Sequence, residues 1–256
     1  MRVLILSSGG KDSCYALWWA LLKGWEVSGI VTVQIDGDDS MMFQLPATQV
    51  AGLQACSANI PWITVCLTGT PEHEMDELQE FLQPIIDGEY RANEWGDDEW
   101  NKFWPNEWIR PNFTKYDNNM NIDAIVTGAL RSDYQKTRIE RMANALHVKS
   151  FTPLWHHDSY SHMSDLIEHG FELLFTSVSA DGLDEKWLGT ILNSDSLSRL
   201  YELSKLHRFS IDGEGGEFET TIVKAPWMNR RISVNGDIIW LGQNGIYQIN
   251  DAKFEK

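Results

Sequence analysis

The sequence predicts an α/β protein in which a doubly wound parallel sheet comes first and a smaller α/β domain follows at the carboxyl end. Two observations support this prediction. Apolar runs of strand length alternate with helical segments up to Leu146, which is typical of a parallel sheet with helices on both faces. Beyond Phe151 the strand-like runs are less regular, which favours antiparallel pairing. We therefore predict two domains, residues 1–140 and 141–256.

The elements of the first domain are predicted from local patterns. An apolar strand ends in glycines, and the helix after it takes Asp12 or Ser13 as its N-cap and stops at Gly24. Pro46 suits the first turn of a second helix. The predicted strands are 3–7, 27–35, 63–67 and 122–127, and the predicted helices are 14–23, 46–58, 71–86 and 132–146.

The second domain contains both helical and strand-like patterns. Its predicted helices are 160–169 and 196–207, and its predicted strands are 171–178, 219–223, 232–234 and 238–241. No internal repeat is evident. This half is therefore predicted to be an α/β domain with more antiparallel pairing than the first.

The segment Gly88 to Asn121 is predicted to be an ordered insertion between the third helix and the fourth strand. It contains four tryptophans and many acidic and amide side chains, and it is too aromatic for a disordered linker. Trp95, Trp100, Trp104 and Trp108 are spaced close to a helical period. Either they pack inward as a local core, or one or two remain exposed beside acidic residues and dock a cationic partner.

Composition restricts the classes of function. The chain has 256 residues, is 43% hydrophobic and 23% charged, and carries a formal net charge of −16 at pH 7. A protein that binds mainly nucleic acid usually has a basic face, so a nucleic-acid partner is not favoured. The acidic balance suits a small-molecule or cationic substrate better. No apolar stretch approaches the length of a membrane span, and a cytoplasmic location is expected.

The three cysteines, Cys14, Cys56 and Cys66, have neither CxxC nor zinc-ligand spacing. No disulfide framework is indicated. Cys14 and Cys66 lie in apolar surroundings, which favours buried thiols that pack rather than react.

The motif with the most chemical content lies between the first strand and the first helix. Its candidate ligand-binding residues are Ser8, Gly9, Gly10, Lys11, Asp12 and Ser13. The glycines allow the backbone to turn tightly and approach a ligand. The N–H groups and dipole of the next helix favour an anion, and the lysine adds a positive charge. The pattern predicts a phosphate-binding loop, with spacing too short for the GxxxxGK[ST] motif. The alternative, a glycine turn before a capped helix, does not explain the lysine.

A second candidate segment follows the fourth predicted strand. Gly128 and Ala129 lie at its carboxyl end, where open α/β sheets bind ligands. The alternative for both is a plain strand end. Ser132 is either a ligand-binding residue or the N-cap of the next helix. Asp133 and Arg138 are either substrate contacts or a surface ion pair.

A third candidate segment is rich in carboxylates. Glu214, Glu217 and Glu219 surround Gly215 and Gly216, and this concentration of charge suits Mg²⁺ or a cationic substrate. The alternative is a glycine turn that leads into a strand. The sequence assigns no metal ligands.

These motifs carry a resemblance to a known family. The loop SGGKDS resembles the PP-loop of ATP pyrophosphatases, which implies a Rossmann-like fold of the HUP type. Four further stretches are similar, in the same order, to motifs of the diphthine–ammonia ligase family. They are GALRSDYQKTR at 128–138, PLW at 153–155, GLDEKWLG at 182–189 and GEGGEFET at 213–220.

The resemblance implies a C–N ligase that uses ATP, Mg²⁺ and ammonium to amidate diphthine on translation elongation factor 2. The implied reaction passes through an acyl-adenylate and releases AMP and pyrophosphate. Catalytic roles are implied for Lys11, Asp12 and Glu217, and nucleotide binding for the loop with Gly128 and Ala129. Substrate contacts are implied for Ser132, Asp133, Arg138, Glu185, Lys186, Glu214, Gly215, Gly216 and Glu219.

Two other classes of function stay open at this point. A PP-loop enzyme that modifies RNA or another carboxyl substrate would share the loop, although it would favour a basic face or reactive cysteines. A non-catalytic nucleotide-binding module would share the loop without needing the carboxylate-rich second half.

Overall fold

The computed structural model describes residues 1–35, 48–68, 73–89, 104–117 and 121–255. Contacts divide these residues into two compact units. The first unit lies within residues 1–106 and 110–155, and the second lies within 107–109 and 156–256. The boundary predicted at residue 140 falls inside a helix of the first unit, Asp133–Ala145, and the unit continues to Trp155.

The first unit is built on a five-stranded sheet. Its strands are β1 (Arg2–Leu6), β2 (Glu26–Ile35), β3 (Trp62–Leu67), β4 (Ala124–Val126) and β5 (Lys149–Phe151). Its helices are α1 (Lys11–Leu22), α2 (Val50–Ser57), α3 (Glu74–Ile86) and α4 (Asp133–Ala145). The strand order is β3-β2-β1-β4-β5, and every neighbouring pair runs parallel. The predicted parallel sheet is confirmed, and the short strand β5 adds to the four strands that the sequence indicated.

Both faces of this sheet are buried. Leu4 belongs to a cluster of buried residues that also contains Leu78 of α3 and Met142 of α4. Val3 and Ile5 are also fully buried, and alternation along the strand points them to the opposite face. On that face α1 contacts β1 and β2, while α2 contacts β2 and β3. Helices therefore cover both faces, which is the doubly wound arrangement that uniformly apolar strands predict.

The helix α1 begins earlier than the sequence predicted. It starts at Lys11 rather than Cys14, and Gly10 is its N-cap. The predicted caps, Asp12 and Ser13, lie within its first turn instead. Gly10 has φ −79° and ψ 171°, the extended geometry that an N-cap residue requires, so helical geometry begins directly after the glycines.

The second unit carries an antiparallel sheet. Its strands are β6 (Glu172–Val178), β7 (Phe218–Lys224), β8 (Ile232–Trp240) and β9 (Gly245–Phe254), in the order β7-β6-β9-β8. Its helices are α5 (Ser159–Glu168) and α6 (Ser194–His207), with a short 3-10 turn at Glu185–Trp187. All strand pairs are antiparallel, as predicted for this half. The strands predicted at 232–234 and 238–241 are one strand, and β9 was missed because polar residues interrupt its apolar ones and only Gly245 and Ala252 are buried. Among the helices that the structure describes, none is long and apolar enough to cross a membrane.

Two tryptophans of the predicted insertion are packing residues. Trp104 is 6% exposed and meets the Trp62 ring edge-on, with 6.0 Å between centroids. In the second unit the indole N–H of Trp108, also 6% exposed, donates to the carbonyl of Asn250 at 2.9 Å. For these two side chains the structure supports the packing alternative over docking.

Replacing Trp104 by alanine should therefore lower the free energy of unfolding by about 3–5 kcal/mol, because a large buried ring leaves a cavity. The Michaelis constant for a protein substrate should not change. Thermal melting and steady-state kinetics measure both effects, with Ile109→Ala as a control because that side chain is 70% exposed. A higher Michaelis constant with unchanged melting would favour docking instead. Trp95 and Trp100 lie outside the described residues.

Candidate functional site

Two loops follow adjacent strands at the point where the order of the parallel sheet reverses. β1 lies between β2 and β4, and the sheet grows outward to β3 on one side and to β5 on the other. Val3 pairs with Ala124 and Ile5 pairs with Val126, so β1 and β4 end side by side. Crevices at such reversal points are where open α/β sheets bind ligands. The first two candidate segments of the sequence therefore lie together.

A short hydrogen-bond network fixes the loop after β1. The Ser7 hydroxyl donates to the Ser13 hydroxyl at 2.9 Å and accepts the backbone N–H of Gly9 at 3.1 Å. The Ser13 hydroxyl donates in turn to the carbonyl of Gly10 at 3.1 Å. Gly9 has φ +83°, a conformation that favours glycine. The loop is therefore organised by its own hydroxyls, and phosphate binding by Ser8 and Ser13 stays a prediction.

Lys11 places a cation within this loop. Its side chain is 8% exposed, and its Nζ lies 2.7 Å from Oδ2 of Asp12, whose side chain is 24% exposed. A buried ammonium group is unfavourable unless a counter-charge or hydrogen-bond acceptor compensates it. The carboxylate of Asp12 supplies that charge and also lies in the first turn of α1, where the helix dipole favours an anion. The Lys11–Asp12 pair is thus held where the negative oxygens of a phosphate group would further stabilise the buried charge of Lys11.

Gly128 brings the loop after β4 against the first turn of α1. A Cβ added to Gly128 would lie 2.5 Å from the backbone carbon of Asp12 and 2.5 Å from the backbone nitrogen of Ser13. Both are main-chain atoms, so no rotation of a side chain can relieve the contact. Gly128 therefore has a packing role beside the phosphate loop. Nucleotide binding by Gly128 and Ala129 stays a prediction.

At the start of α4, Ser132 caps the helix, which was the alternative to ligand binding. Ser132 is the N-cap, and its side chain accepts the backbone N–H of Gln135 at 3.3 Å. Asp133 is exposed in the first turn. The guanidinium carbon of Arg138 lies 3.4 Å from the centre of the Tyr134 ring, one helical turn away. Substrate contacts by Ser132, Asp133 and Arg138 stay predictions.

The carboxylate-rich loop before β7 is closed by two acidic side chains. Oε1 of Glu217 accepts the backbone N–H of Ser210, and Oε2 accepts that of Gly215, both at 2.8 Å. Asp212 is fully buried and accepts the hydroxyl of Ser210 at 2.7 Å and the N–H of Glu214 at 3.4 Å. Glu217 is therefore engaged with the backbone of its own loop, and a catalytic role for it stays a prediction.

The predicted substrate residues Glu185 and Lys186 lie in the 3-10 turn, where both are exposed. The side chain of Asp184 caps this turn by accepting the N–H of Lys186 at 3.2 Å. The next residue, Trp187, is 5% exposed and packs on Phe175 with 5.3 Å between centroids. The packing of Trp187 therefore fixes the turn that carries the exposed side chains of Glu185 and Lys186.

No metal centre is evident in the described ranges, where no group of three or more His, Cys, Asp and Glu side chains could hold an ion. Both oxygens of Glu217 accept backbone N–H groups of its own loop. The two interpretations of Glu214, Glu217 and Glu219, a Mg²⁺ site and a site for a cationic substrate, stay predictions.

Two buried polar residues were missed by the sequence analysis. Gln54 of α2 is 1% exposed, and its Nε2 donates to the carbonyl of Gly9 at 2.9 Å. Asp212 is 0% exposed. A signal for Gln54 was present, because it is a single amide among the buried apolar residues of α2, where a polar side chain needs a partner. Asp212 lies directly before the GEGGEFET segment, and no motif included it.

The parallel sheet, its reversal point and the buried lysine in a glycine loop define an α/β protein of the PP-loop type. Two family models then match the chain, one in each unit. The diphthamide synthase N-terminal domain matches residues 1–91, and the diphthamide synthase C-terminal domain matches residues 158–254. Together they cover most of the chain, which therefore belongs to the diphthamide synthase family.

Similar proteins carry the name diphthine–ammonia ligase. A relative from Schizosaccharomyces pombe is 30% identical over 236 residues, covering 91% of this chain and 36% of the relative. Relatives from Danio rerio and Homo sapiens are 28% and 26% identical, cover 92% of this chain, and are themselves covered to 87% and 83%. The chain thus spans about a third of the fungal relative and most of the vertebrate ones. The predicted family and the ligase class are confirmed, and they support an ATP-dependent amidation in diphthamide biosynthesis.

A crystal structure described as a predicted subunit of tRNA methyltransferase from Methanocaldococcus jannaschii is 16% identical, with a TM-score of 0.40. It covers 88% of this chain and is itself covered to 98%. That likeness is too weak to support a statement about function.

Replacing Gly128 by alanine should disrupt the phosphate loop, because the new Cβ would meet main-chain atoms at 2.5 Å. AMP formation should fall by about a hundredfold, the loss expected when reacting groups are displaced by about 1 Å. Gly24→Ala is a control for backbone strain without a collision, since Gly24 has φ +70° and a Cβ there would meet nothing within 4 Å. It should lower stability but leave AMP formation by the folded protein unchanged. Normal AMP formation by Gly128→Ala would contradict the packing role.

Cys14→Ser should keep ammonium-driven AMP formation close to that of the wild type. The thiol is 1% exposed, and burial raises its pKa far above the usual range, so the nucleophilic thiolate is suppressed. Its Sγ donates to Oε1 of Gln54 at 3.4 Å, a contact that a serine hydroxyl can also make. The assay compares ammonium with glutamine as nitrogen source. Glutamine-driven turnover that is lost in Cys14→Ser would show that this thiol is a catalytic nucleophile.

Proposed function

We propose that this chain amidates diphthine on translation elongation factor 2, with ATP and ammonium as co-substrates, in the cytoplasm. The observation that carries the proposal is the buried Lys11, set in a glycine loop at the N-terminus of α1 and at the reversal point of the sheet. This arrangement suits the polyphosphate of ATP. The family to which the chain belongs indicates the reaction that would use this ATP.

The proposed reaction solves a problem of carboxylate chemistry. Ammonia cannot displace oxide from a carboxylate, so the oxygen must first become part of a better leaving group. A carboxylate oxygen of diphthine attacks the α-phosphorus of ATP, and pyrophosphate leaves with the electrons of the broken P–O bond. Ammonia, formed when ammonium loses a proton, then attacks the acyl carbon. The C–O bond to AMP breaks, AMP takes the electron pair, and the nitrogen gives up one proton.

In this proposal the first unit binds and orients the polyphosphate. The ammonium group of Lys11 would contact the β- and γ-phosphates, where charge accumulates as pyrophosphate leaves. The N–H groups at the start of α1 would add fixed donors that need no reorganisation during the reaction. Ser8, Gly9, Gly10 and Ser13 form the rest of this cradle, with Gly128 and Ala129 at its side. The chain contributes alignment and charge stabilisation, and no side-chain nucleophile is needed.

ATP-using enzymes commonly bind Mg²⁺ through one or two carboxylates together with the phosphates of the nucleotide. The carboxylate of Asp12 fits this requirement, because it lies in the first turn of α1 beside the phosphate loop and is partly exposed. We propose that Asp12 holds Mg²⁺ there. The ion would neutralise phosphate charge and make the α-phosphorus more open to attack.

The second unit is proposed to recognise the diphthine group, which carries a trimethylammonium cation. Glu214 and Glu219 are the partly exposed carboxylates of the loop before β7 and of its first residues. Such groups attract a quaternary cation without requiring a hydrogen-bond donor. Glu217 supports the same loop through its two backbone contacts. Glu185 and Lys186, exposed on the 3-10 turn, are proposed as further substrate contacts.

Lys11→Ala should abolish AMP formation while leaving the fold intact, and Asp12→Ala should do the same. Losing one preorganised charge contact to a reacting phosphate costs on the order of a hundredfold or more in rate. The assay measures AMP in the presence of ATP, ammonium and the diphthine form of elongation factor 2. Lys23→Ala is the matched control, because Lys23 caps the opposite end of the same helix.

The same assay without elongation factor 2 tests the substrate. AMP formation that needs neither elongation factor 2 nor ammonium would contradict the proposed reaction. Wild-type rates in a well-folded Lys11→Ala protein would contradict the proposed phosphate site.

A further inference from the structure

Gln54 lies beneath the phosphate loop, outside every motif that the sequence analysis identified. Its Nε2 donates to the carbonyl of Gly9 at 2.9 Å, and its Oε1 accepts the thiol of Cys14 at 3.4 Å. A carbonyl oxygen can only accept, so the NH₂ end of the amide must face Gly9. Both ends of this side chain are therefore engaged with the structure around the loop.

The contact has a consequence for the next backbone group. The Gly9 carbonyl and the Gly10 N–H belong to one peptide unit, and in a trans peptide they point in opposite directions. The described chain contains no cis peptide bond. Because Gln54 holds the carbonyl toward α2, the N–H of Gly10 is directed away from α2. Gly10 is the N-cap of α1, so this N–H belongs to the end of the helix where the proposed phosphate site lies.

The loop also rests directly on the backbone of α2. A Cβ at Gly9 would lie 3.3 Å from the backbone nitrogen of Ala51, which is tighter than ordinary contact. The φ of Gly9, +83°, is one that a glycine adopts without strain. The close approach to α2 and the hydrogen bond from Gln54 together restrict the orientation of the Gly9–Gly10 peptide.

We propose that Gln54 is a positioning residue of the phosphate site: it holds the Gly9 carbonyl so that the Gly10 N–H is aimed at the polyphosphate. This inference rests on the proposed function for the identity of the ligand. An apolar side chain at this position would leave the Gly9 carbonyl without the donor that Gln54 supplies, and nothing would then hold that carbonyl toward α2.

The first test replaces Gln54 by methionine, which has a similar shape but cannot donate to the Gly9 carbonyl. The rate of AMP formation should fall by roughly ten- to a hundredfold, as expected when a preorganised donor is misaligned. The dissociation constant for ATP, measured by titration calorimetry, should rise in parallel. Gln49→Met is the matched control, because Gln49 begins the same helix and makes no side-chain capping bond. It should behave like the wild type.

The second test replaces Gln54 by glutamate and measures the rate and the melting temperature at each pH. A purely structural role would change the rate only together with the melting temperature. A protonated carboxyl group can donate to the Gly9 carbonyl, whereas a carboxylate cannot. The rate of Gln54→Glu relative to the wild type, compared at each pH, should therefore rise as the pH falls. A ratio that stays low at every pH would overturn the inference, even if Gln54→Met proved too unstable to assay, because a carboxyl group kept protonated by burial would match the wild type throughout.

The two measurements separate the inference from the proposed function. If the wild type binds ATP but forms no AMP with diphthine-form elongation factor 2, the proposed reaction fails. Weaker ATP binding by Gln54→Met would then still support the positioning role. If the wild type forms AMP and Gln54→Met matches it in rate and in ATP affinity, the inference fails while the proposed function stands.

Discussion

The described part of the first unit depends on one constraint: a charged lysine must be held in a loop from which water is largely excluded. Burial of an ammonium group is unfavourable unless partners are already in place. The loop that carries Lys11 is accordingly fixed from several sides. The N–H of Ser7 donates to the carbonyl of Val31 at 2.9 Å, Gly128 packs against the first turn of α1, and Gln54 holds Gly9 from α2. The order of the parallel sheet brings these elements to one edge.

The same constraint explains how an acidic chain can contain an anion site. The formal net charge is −16, which would repel a polyphosphate at long range. At physiological ionic strength, however, exposed charges are screened beyond about 8 Å. Lys11 and the start of α1 act at contact distance, in surroundings where electrostatic interactions are less screened. The net charge therefore affects partners that approach a whole face of the protein. It has little effect on a ligand held within one loop.

The parts of the fold and site that depend on adjacent residues could be predicted from the sequence. The glycine loop, its lysine and the alternation of strands and helices are local patterns, and the structure confirms the sheet that they predict. Gln54 could not be assigned in this way, because it contacts Gly9 across 45 positions of the chain. The start of α1 lies earlier than predicted, because Gly10 caps the helix through its backbone geometry alone and makes no side-chain cap hydrogen bond. For Glu217, the carboxylate beside glycines is visible in the sequence, but the two backbone N–H groups that donate to it are not.

The two glycine loops of the chain differ in the balance of their side-chain hydrogen bonds, and this difference agrees with the ligands proposed for them. In the loop of the first unit, two side chains hold backbone carbonyls, since Gln54 donates to Gly9 and Ser13 donates to Gly10, while Ser7 accepts one N–H, that of Gly9. Side chains that occupy carbonyls direct peptide N–H groups outward, which favours an anion.

In the loop of the second unit, carboxylates hold backbone N–H groups instead. Glu217 accepts two of them, from Ser210 and Gly215, and Asp212 accepts a third from Glu214. A loop whose N–H groups are already bonded has few donors left for an anion, while its acidic side chains keep a negative field. One side chain donates to a carbonyl of this loop, the hydroxyl of Ser179 to Gly216 at 2.7 Å. The two glycine-rich loops thus differ in balance, because side chains mainly donate to the backbone in the first and mainly accept from it in the second.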